Sequence, residues 1–229
     1  MGLIFNGTEI EKVIYNGTTV EKIIYNGTLV WESFPAYTEF YFEGDSLSGL
    51  QLTFHKNNTE PTEVYMNDTL LATITDDLNP TITFDVPVAE NSLIIRGGSF
   101  YMTDTAIIGD VQDRLKIVTL GKNYVGTLGS AFQNTTIWEL KCGPNCQVSR
   151  GICNGCSRLY DLYIYNPTPT EKATAPEYSY VYGAKSNVKI HLLRDLDVME
   201  IAKQNYGDYF NYITQTTQAT VLFDLNIFG

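Results

Sequence analysis

The chain has 229 residues, 44% hydrophobic and 13% aromatic, enough to bury a sizeable core and unlike a disordered tail. A formal net charge of −11 and a pI near 4.5 argue against nucleic acid, because phosphate backbones are held by clustered Lys and Arg that release counterions. Met1 runs straight into a repeat with no basic and apolar leader, and no run approaches the roughly eighteen apolar residues of a membrane span. The expectation is a soluble chain made in the cytoplasm, without signal peptide or membrane insertion.

Three near-copies of a ten-residue unit come first: Ile4-Phe5-Asn6-Gly7-Thr8, Ile14-Tyr15-Asn16-Gly17-Thr18 and Ile24-Tyr25-Asn26-Gly27-Thr28. Asn-Gly is the strongest short signal for a two-residue hairpin turn, since both residues tolerate positive φ. Folding the second unit about Asn16-Gly17 sets Tyr15 opposite Thr18, Val13 opposite Val20, Lys12 opposite Glu21, Glu11 opposite Lys22 and Ile10 opposite Ile23. The apolar and opposite-charge pairs support that register. The faces do not divide cleanly: Val13, Tyr15, Val20, Ile24, Leu29 and Trp31 share one side, and Ile10, Ile14, Ile23, Tyr25 and Val30 the other. A sheet apolar on both faces must be covered on both, which so short a segment cannot do alone. Residues 1–33 are therefore expected to be an assembly segment that docks through Val13, Tyr15, Val20, Ile23, Ile24, Tyr25, Leu29, Val30 and Trp31. The partner is another protein or a copy of the same chain; the alternative is packing on the rest of this chain.

Residues 34–105 read as short strands separated by turn clusters, and such spacing suggests a small β-sandwich-like domain. The expected strands are Thr38 to Phe42, Leu50 to His55, Thr62 to Met66, Leu70 to Ile74, Thr81 to Val86, Ser92 to Arg96 and Ser99 to Met102. Breaks fall at Gly44-Asp45, Asn57-Asn58, Asn67-Asp68, Asn79-Pro80 and Gly97-Gly98. His55 reads as an ordinary strand residue. The Asn-x-Thr triplets at Asn6, Asn16, Asn26, Asn57, Asn67 and Asn134 read as turn chemistry in preference to glycosylation sites.

The second half carries a longer period. Leu120-Gly-Lys-Asn123 aligns with Cys142-Gly-Pro-Asn145 at a shift of 22 residues, which also places Ile137 on Leu159, Leu140 on Leu162 and Cys142 on Ile164. Repeats of this length mark solenoids whose coils bury their apolar faces against one another. Leu128-Gly-Ser-Ala-Phe132-Gln-Asn and Gly151-Ile-Cys153-Asn-Gly-Cys156-Ser-Arg-Leu159 resemble the coil of BspA-like leucine-rich repeats, known from bacterial surface proteins and phage structural proteins. Ile164-Tyr-Asn-Pro167-Thr-Pro169, Val188-Lys-Ile190-His-Leu192 as a last strand, and a helix near Asp195 to Tyr206 are similar to the closing unit of such arrays. The Tyr-Asn-Gly-Thr repeats resemble segments of phage tail and receptor-binding proteins. The coil is irregular, with Cys153 where the family has Phe and one residue missing between Phe132 and Ile137. The resemblance implies a mainly β chain, with hairpin repeats, a sandwich-like domain, and a short leucine-rich-repeat solenoid over 106–229 with a C-terminal capping helix.

Four cysteines, Cys142, Cys146, Cys153 and Cys156, lie within fifteen residues. Short thiolate spacings suit a zinc tetrahedron. Cys142 aligns with Leu120, however, Cys153 takes the Phe slot and Cys156 matches the family's recurring Cys, so buried free thiols are the preferred reading. Zinc and a disulfide stay open as alternatives. The acidic Asp195, Asp197 and Glu200 fall in the first turns of the expected helix, where they complement its dipole and Asp195 serves as N-cap. Nine tyrosines crowd the last third: Tyr160, Tyr163, Tyr165, Tyr178, Tyr180, Tyr182, Tyr206, Tyr209 and Tyr212. They suit contact surfaces and strand faces equally.

With only His55 and His191 available, a nucleophile–histidine arrangement would need distant pairing that the sequence does not signal, and no nucleotide-binding or metalloprotease motif occurs. No cofactor, metal or catalytic residue is expected. The functional expectation is a non-enzymatic bacteriophage virion component, a tail fibre, baseplate or other appended protein. It would meet other virion proteins, copies of itself, and a host cell-surface protein or glycan. The alternatives are a bacterial BspA-like surface adhesin and a carbohydrate-binding module.

Overall fold

Asn-Gly pairs ten residues apart leave eight residues between turns, so each turn can claim about four residues on either side. A computed structural model shows that division. It describes the strand backbone within residues 1–33 and at 107–108, and describes fully residues 34–102, 114–129, 131–148, 151–166, 181, 183–184, 187–193 and 219–225. Strands β1 (Leu3–Phe5) and β2 (Thr8–Ile10), β3 (Val13–Tyr15) and β4 (Thr18–Val20), and β5 (Lys22–Tyr25) and β6 (Thr28–Glu32) form three separate antiparallel hairpins. Tyr15 pairs with Thr18 and Val13 with Val20, as expected. The extension to Ile10–Ile23 is not made: Ile10 pairs with Leu3 and Ile23 with Trp31, because the flanking turns claim them first. Lys22 likewise pairs with Glu32, and a register shift after Ile23 leaves Val30 without a Cα partner.

Alternation of buried and open positions, as in Thr81–Val86, builds the middle of the chain. Its strands are β7 (Thr38–Phe42), β8 (Leu47–Thr53), β9 (His55–Lys56), β10 (Thr62–Met66), β11 (Thr69–Ile74), β12 (Thr81–Val86), β13 (Asn91–Arg96) and β14 (Phe100–Tyr101). The expected strand Leu50 to His55 is divided: Phe54 is fully buried between its two parts, and His55 pairs with Tyr101 of β14. Met66 pairs with Thr69 across Asn67-Asp68, and Asn67 takes the positive φ of 52° that such a turn needs. Asn134 is also left-handed, at 57°.

The remaining strands are β15 (Ile107–Ile108), β16 (Leu115–Leu120), β17 (Gly126–Leu128), β18 (Glu139–Cys142), β19 (Cys146–Val148), β20 (Asp161–Ile164), β21 (Lys189–Leu193) and β22 (Thr220–Leu225). The chain is mainly β, organised on one mixed nine-stranded sheet of order β11-β10-β13-β7-β16-β18-β20-β21-β22. From β11 to β16 the neighbours are antiparallel; from β16 to β22 they are parallel. A second sheet, β12-β8-β15, packs its Leu50, Leu52, Phe84 and Val86 into the same core as Phe40, Phe42, Val64 and Leu93, with Phe42 and Phe84 rings 6.3 Å apart.

Position 105, the expected domain boundary, is bridged on both sheets: β15 pairs with β8, and β16 pairs with β7. One hydrophobic cluster runs from Phe40 to Ala219. In the parallel part Leu120 pairs with Cys142 and Cys142 with Ile164, so the 22-residue shift is the register of two successive rungs. The next rung, Leu162 with Ile190, is longer. On the opposite wall β17 and β19 pair Gly126 with Cys146, a step of 20, because Tyr124 and Val125 are extra residues in the first turn of chain. The expected last strand is followed by another, β22, which pairs parallel with β21. Asp195, Asp197, Glu200 and the expected helix lie outside the described residues. Among the described residues no helix is long and apolar enough to cross a membrane.

Candidate functional site

Leu140, Leu162 and Ile190 are buried at equivalent rungs, so the residues one step before and after them face the other side of the sheet. Two rows result. Glu139, Asp161 and Lys189 are cross-strand neighbours, and so are Lys141, Tyr163 and His191. Glu139 opposite Asp161 sets like charges side by side, an arrangement that costs stability unless each finds a cation. Each does. Lys141 Nζ lies 2.8 Å from Glu139 Oε1, and His191 Nε2 lies 3.0 Å from Asp161 Oδ1.

His191 is engaged on its second nitrogen as well. Nδ1 meets the Asp224 carboxylate at 2.9 and 3.0 Å. Asp224 reaches it from β22, where a register shift between Leu192 and Leu193 leaves Asp224 without a Cα partner. A neutral imidazole has one N–H and one bare nitrogen, so only the doubly protonated ring donates to both carboxylates. Tyr163 stacks on that ring, centroids 4.2 Å apart and planes 10° from parallel, and Lys141 Nζ sits 5.5 Å from the Tyr163 centroid. Burial, then Asp161, Glu139 and Asp224, push the Tyr163 hydroxyl up to about 12, so it stays neutral at physiological pH. His191 is 7% exposed.

Through His191 the array braces three adjacent strands. Each ring nitrogen lies within hydrogen-bond distance of a carboxylate, so the ring is held between β20 and β22. Towards β11 the same sheet carries Arg96, whose guanidinium stands 5.1 Å from the Tyr65 ring and 5.9 Å from that of Tyr37. The Tyr65 hydroxyl donates to Glu63 Oε2 at 2.7 Å, a bond that raises its pKa. Away from this sheet, Asn57, Tyr101, Met102, Val125, Gly126, Thr127 and Gly129 line a shallow, mostly apolar groove of about 460 Å³. His55 stacks on Tyr101 at 4.8 Å beside it and hydrogen-bonds Asn79. The partners of His191 are distant in sequence, Asp161 and Asp224, and no local motif marks them.

The tyrosines divide. Tyr160 is 51% exposed, Tyr163 belongs to the array, and Tyr165 packs edge-on against Phe34 at 4.6 Å. Tyr178, Tyr180, Tyr182, Tyr206, Tyr209 and Tyr212 lie outside the described residues. The assembly residues are placed as strand positions only: Val13 and Tyr15 in β3, Val20 in β4, Ile23, Ile24 and Tyr25 in β5, and Leu29, Val30 and Trp31 in β6.

Cys142, Cys146, Cys153 and Cys156 are all buried free thiols. Burial pushes Cys146 and Cys153 well above the usual thiol range, with contacts to Cys142 and Cys156 acting the same way. Cys156 donates to the Phe132 carbonyl at 2.9 Å. Among the described residues no three ligating side chains gather in a form that would hold a metal. The thiols are expected to resist a water-soluble disulfide reagent in the native chain and to react together once denaturant is added. Fast labelling of native protein would contradict this burial, and one equivalent of tightly held zinc would restore the metal alternative.

Compared with protein-family models, curated proteins and solved structures, the chain matches none.

Proposed function

We propose that this chain is a non-enzymatic assembly and attachment component of a bacteriophage virion, a tail fibre, baseplate or other appended protein. Residues 1–33 mount it on other virion proteins or on copies of itself, and the β-rich remainder is held out for contact with a host cell-surface protein or glycan. In the finer reading of the fold, the parallel rungs are coils of a short BspA-like leucine-rich-repeat solenoid closed by a capping helix. The virion assignment itself rests on the resemblance of the Tyr-Asn-Gly-Thr repeats and the coils to phage structural proteins.

The observation that supports mounting is the isolation of the hairpins. β1–β2, β3–β4 and β5–β6 each pair only within themselves among the described strands. Two-stranded hairpins of three to five residues a strand are marginal in water by themselves. A segment that repeats such a unit three times, with apolar residues in both parities, gains stability from a surface laid against it. Several copies would multiply weak contacts into avidity.

Deleting residues 1–33 tests this reading. The truncated chain is expected to keep its thermal transition and to lose self-association, or co-sedimentation with phage particles, in analytical ultracentrifugation. Collapse of the transition would mean that the hairpins pack on their own chain, and unchanged association would remove their mounting role. Immunogold labelling of intact particles distinguishes virion from cell surface.

A further inference from the structure

We propose that His191 is a pH-dependent latch, holding the C-terminal strand β22 onto the large sheet while its imidazole carries both protons and slackening that strand when one is lost. The geometry is specific. One ring on β21 ties Asp161 of β20 at 3.0 Å to Asp224 of β22 at 2.9 Å, so a single side chain spans three adjacent strands. β22 stands last in the sheet order and has no further strand beside it among the described residues.

When the ring gives a proton to solvent, one nitrogen presents a lone pair to a carboxylate, and attraction becomes repulsion at that contact. Asp224 is the contact that yields. Its side chain is 42% exposed against 26% for Asp161, and it sits at the irregularity in the β21–β22 pairing. The other groups facing the ring do not replace the latch. From β20, Tyr163 remains neutral across the relevant range. From β18, Lys141 is engaged with Glu139. On β21 itself, Lys189 is the cross-strand neighbour of Asp161, and can steady that carboxylate after the ring is neutral. At the acid end, protonation of Asp161 and Asp224 removes the acceptors, so the latch needs both carboxylates ionised as well as the ring charged.

The experiment is hydrogen exchange on the full chain between about pH 5 and about pH 9, corrected for the intrinsic exchange rate, alongside ¹⁵N shifts of the His191 ring. Protection of residues 220–225 is expected to fall about tenfold relative to residues 139–142 as the ring deprotonates, the worth of one partly exposed charged hydrogen bond. His191→Gln is expected to flatten that profile. Asp224→Asn, at a side chain 42% exposed, is expected to flatten it too. Protection of 220–225 that does not follow the ring titration, or an unchanged profile in Asp224→Asn, would overturn the latch.

Discussion

Gly121→Ala is expected to destabilise the chain by at least about 3 kcal/mol in urea denaturation, near the upper range for a forced clash in a packed interior. The reason is not conformational freedom. A Cβ on Gly121 would stand 1.9 Å from the Tyr37 carbonyl oxygen, 2.4 Å from its carbon and 2.8 Å from the Pro35 oxygen. All three are backbone atoms, so no side chain can swing aside. The same approach is fixed from both sides: Lys122 N donates to Pro35 O at 2.8 Å and Gly121 N to Thr38 Oγ1 at 3.1 Å. Moving Tyr37 would disturb β7, whose pairing with β16 joins the antiparallel and parallel parts of the large sheet. One rung later Gly143 repeats the constraint, with a Cβ position 2.4 Å from the Leu120 oxygen. Gly49→Ala is the control: nothing lies within 4 Å of it, and its φ of +69° alone should cost about 1 kcal/mol. If Gly121→Ala cost no more than Gly49→Ala, the close contact between these segments would be wrong.

The Gly121–Gly143 spacing also shows why part of this fold is legible in the sequence. Parallel strands paired in register put Leu120, Cys142 and Ile164 in one interior row, and the 22-residue recurrence of apolar residues exposes that row directly. Strands Thr62–Met66 and Thr81–Val86 were equally legible, because alternating burial and flanking turn residues are local signals. The junction of β7 with β16 has no such signal; it joins segments far apart in sequence through backbone pairing that leaves no composition behind. β22 carries no such signal: Val221, Leu222 and Phe223 are consecutive apolar residues, all half-buried, without the alternation that marks a strand. The Asp161–His191–Asp224 array was hidden with it. Asp161 keeps the 22-residue step from Glu139, but His191 lies on the next strand, where the step is longer, and Asp224 lies on β22. Side-chain complementarity favours a longer hairpin about Asn16-Gly17, but the neighbouring Asn-Gly turns compete for Ile10 and Ile23 and take them.

A second recurrence, Asn123 and Asn145, yields a sharper energetic contrast. Asn123 is 7% exposed and uses both ends of its amide: Nδ2 donates to Ile95 O at 3.0 Å, and Oδ1 accepts from Thr38 Oγ1 at 3.0 Å. Its backbone carbonyl accepts from Phe100 N at 3.0 Å. One residue therefore ties the first parallel rung to β7, β13 and the start of β14. Asn145 repeats half of the pattern, donating from Nδ2 to Lys122 O at 2.8 Å in an exposed setting. Replacing Asn123 with Leu leaves the Ile95 carbonyl and the Thr38 hydroxyl buried without those partners, and each orphaned group costs about 1–3 kcal/mol. The expected loss is about 3 kcal/mol for Asn123→Leu. For Asn145→Leu it is under about 1 kcal/mol, because water takes over the freed carbonyl. Thr38→Val should cost less in the Asn123→Leu background than in the native chain, since the hydroxyl has already lost its acceptor. Equal losses at Asn123 and Asn145, or strict additivity with Thr38→Val, would mean that this amide does not join the two parts of the sheet.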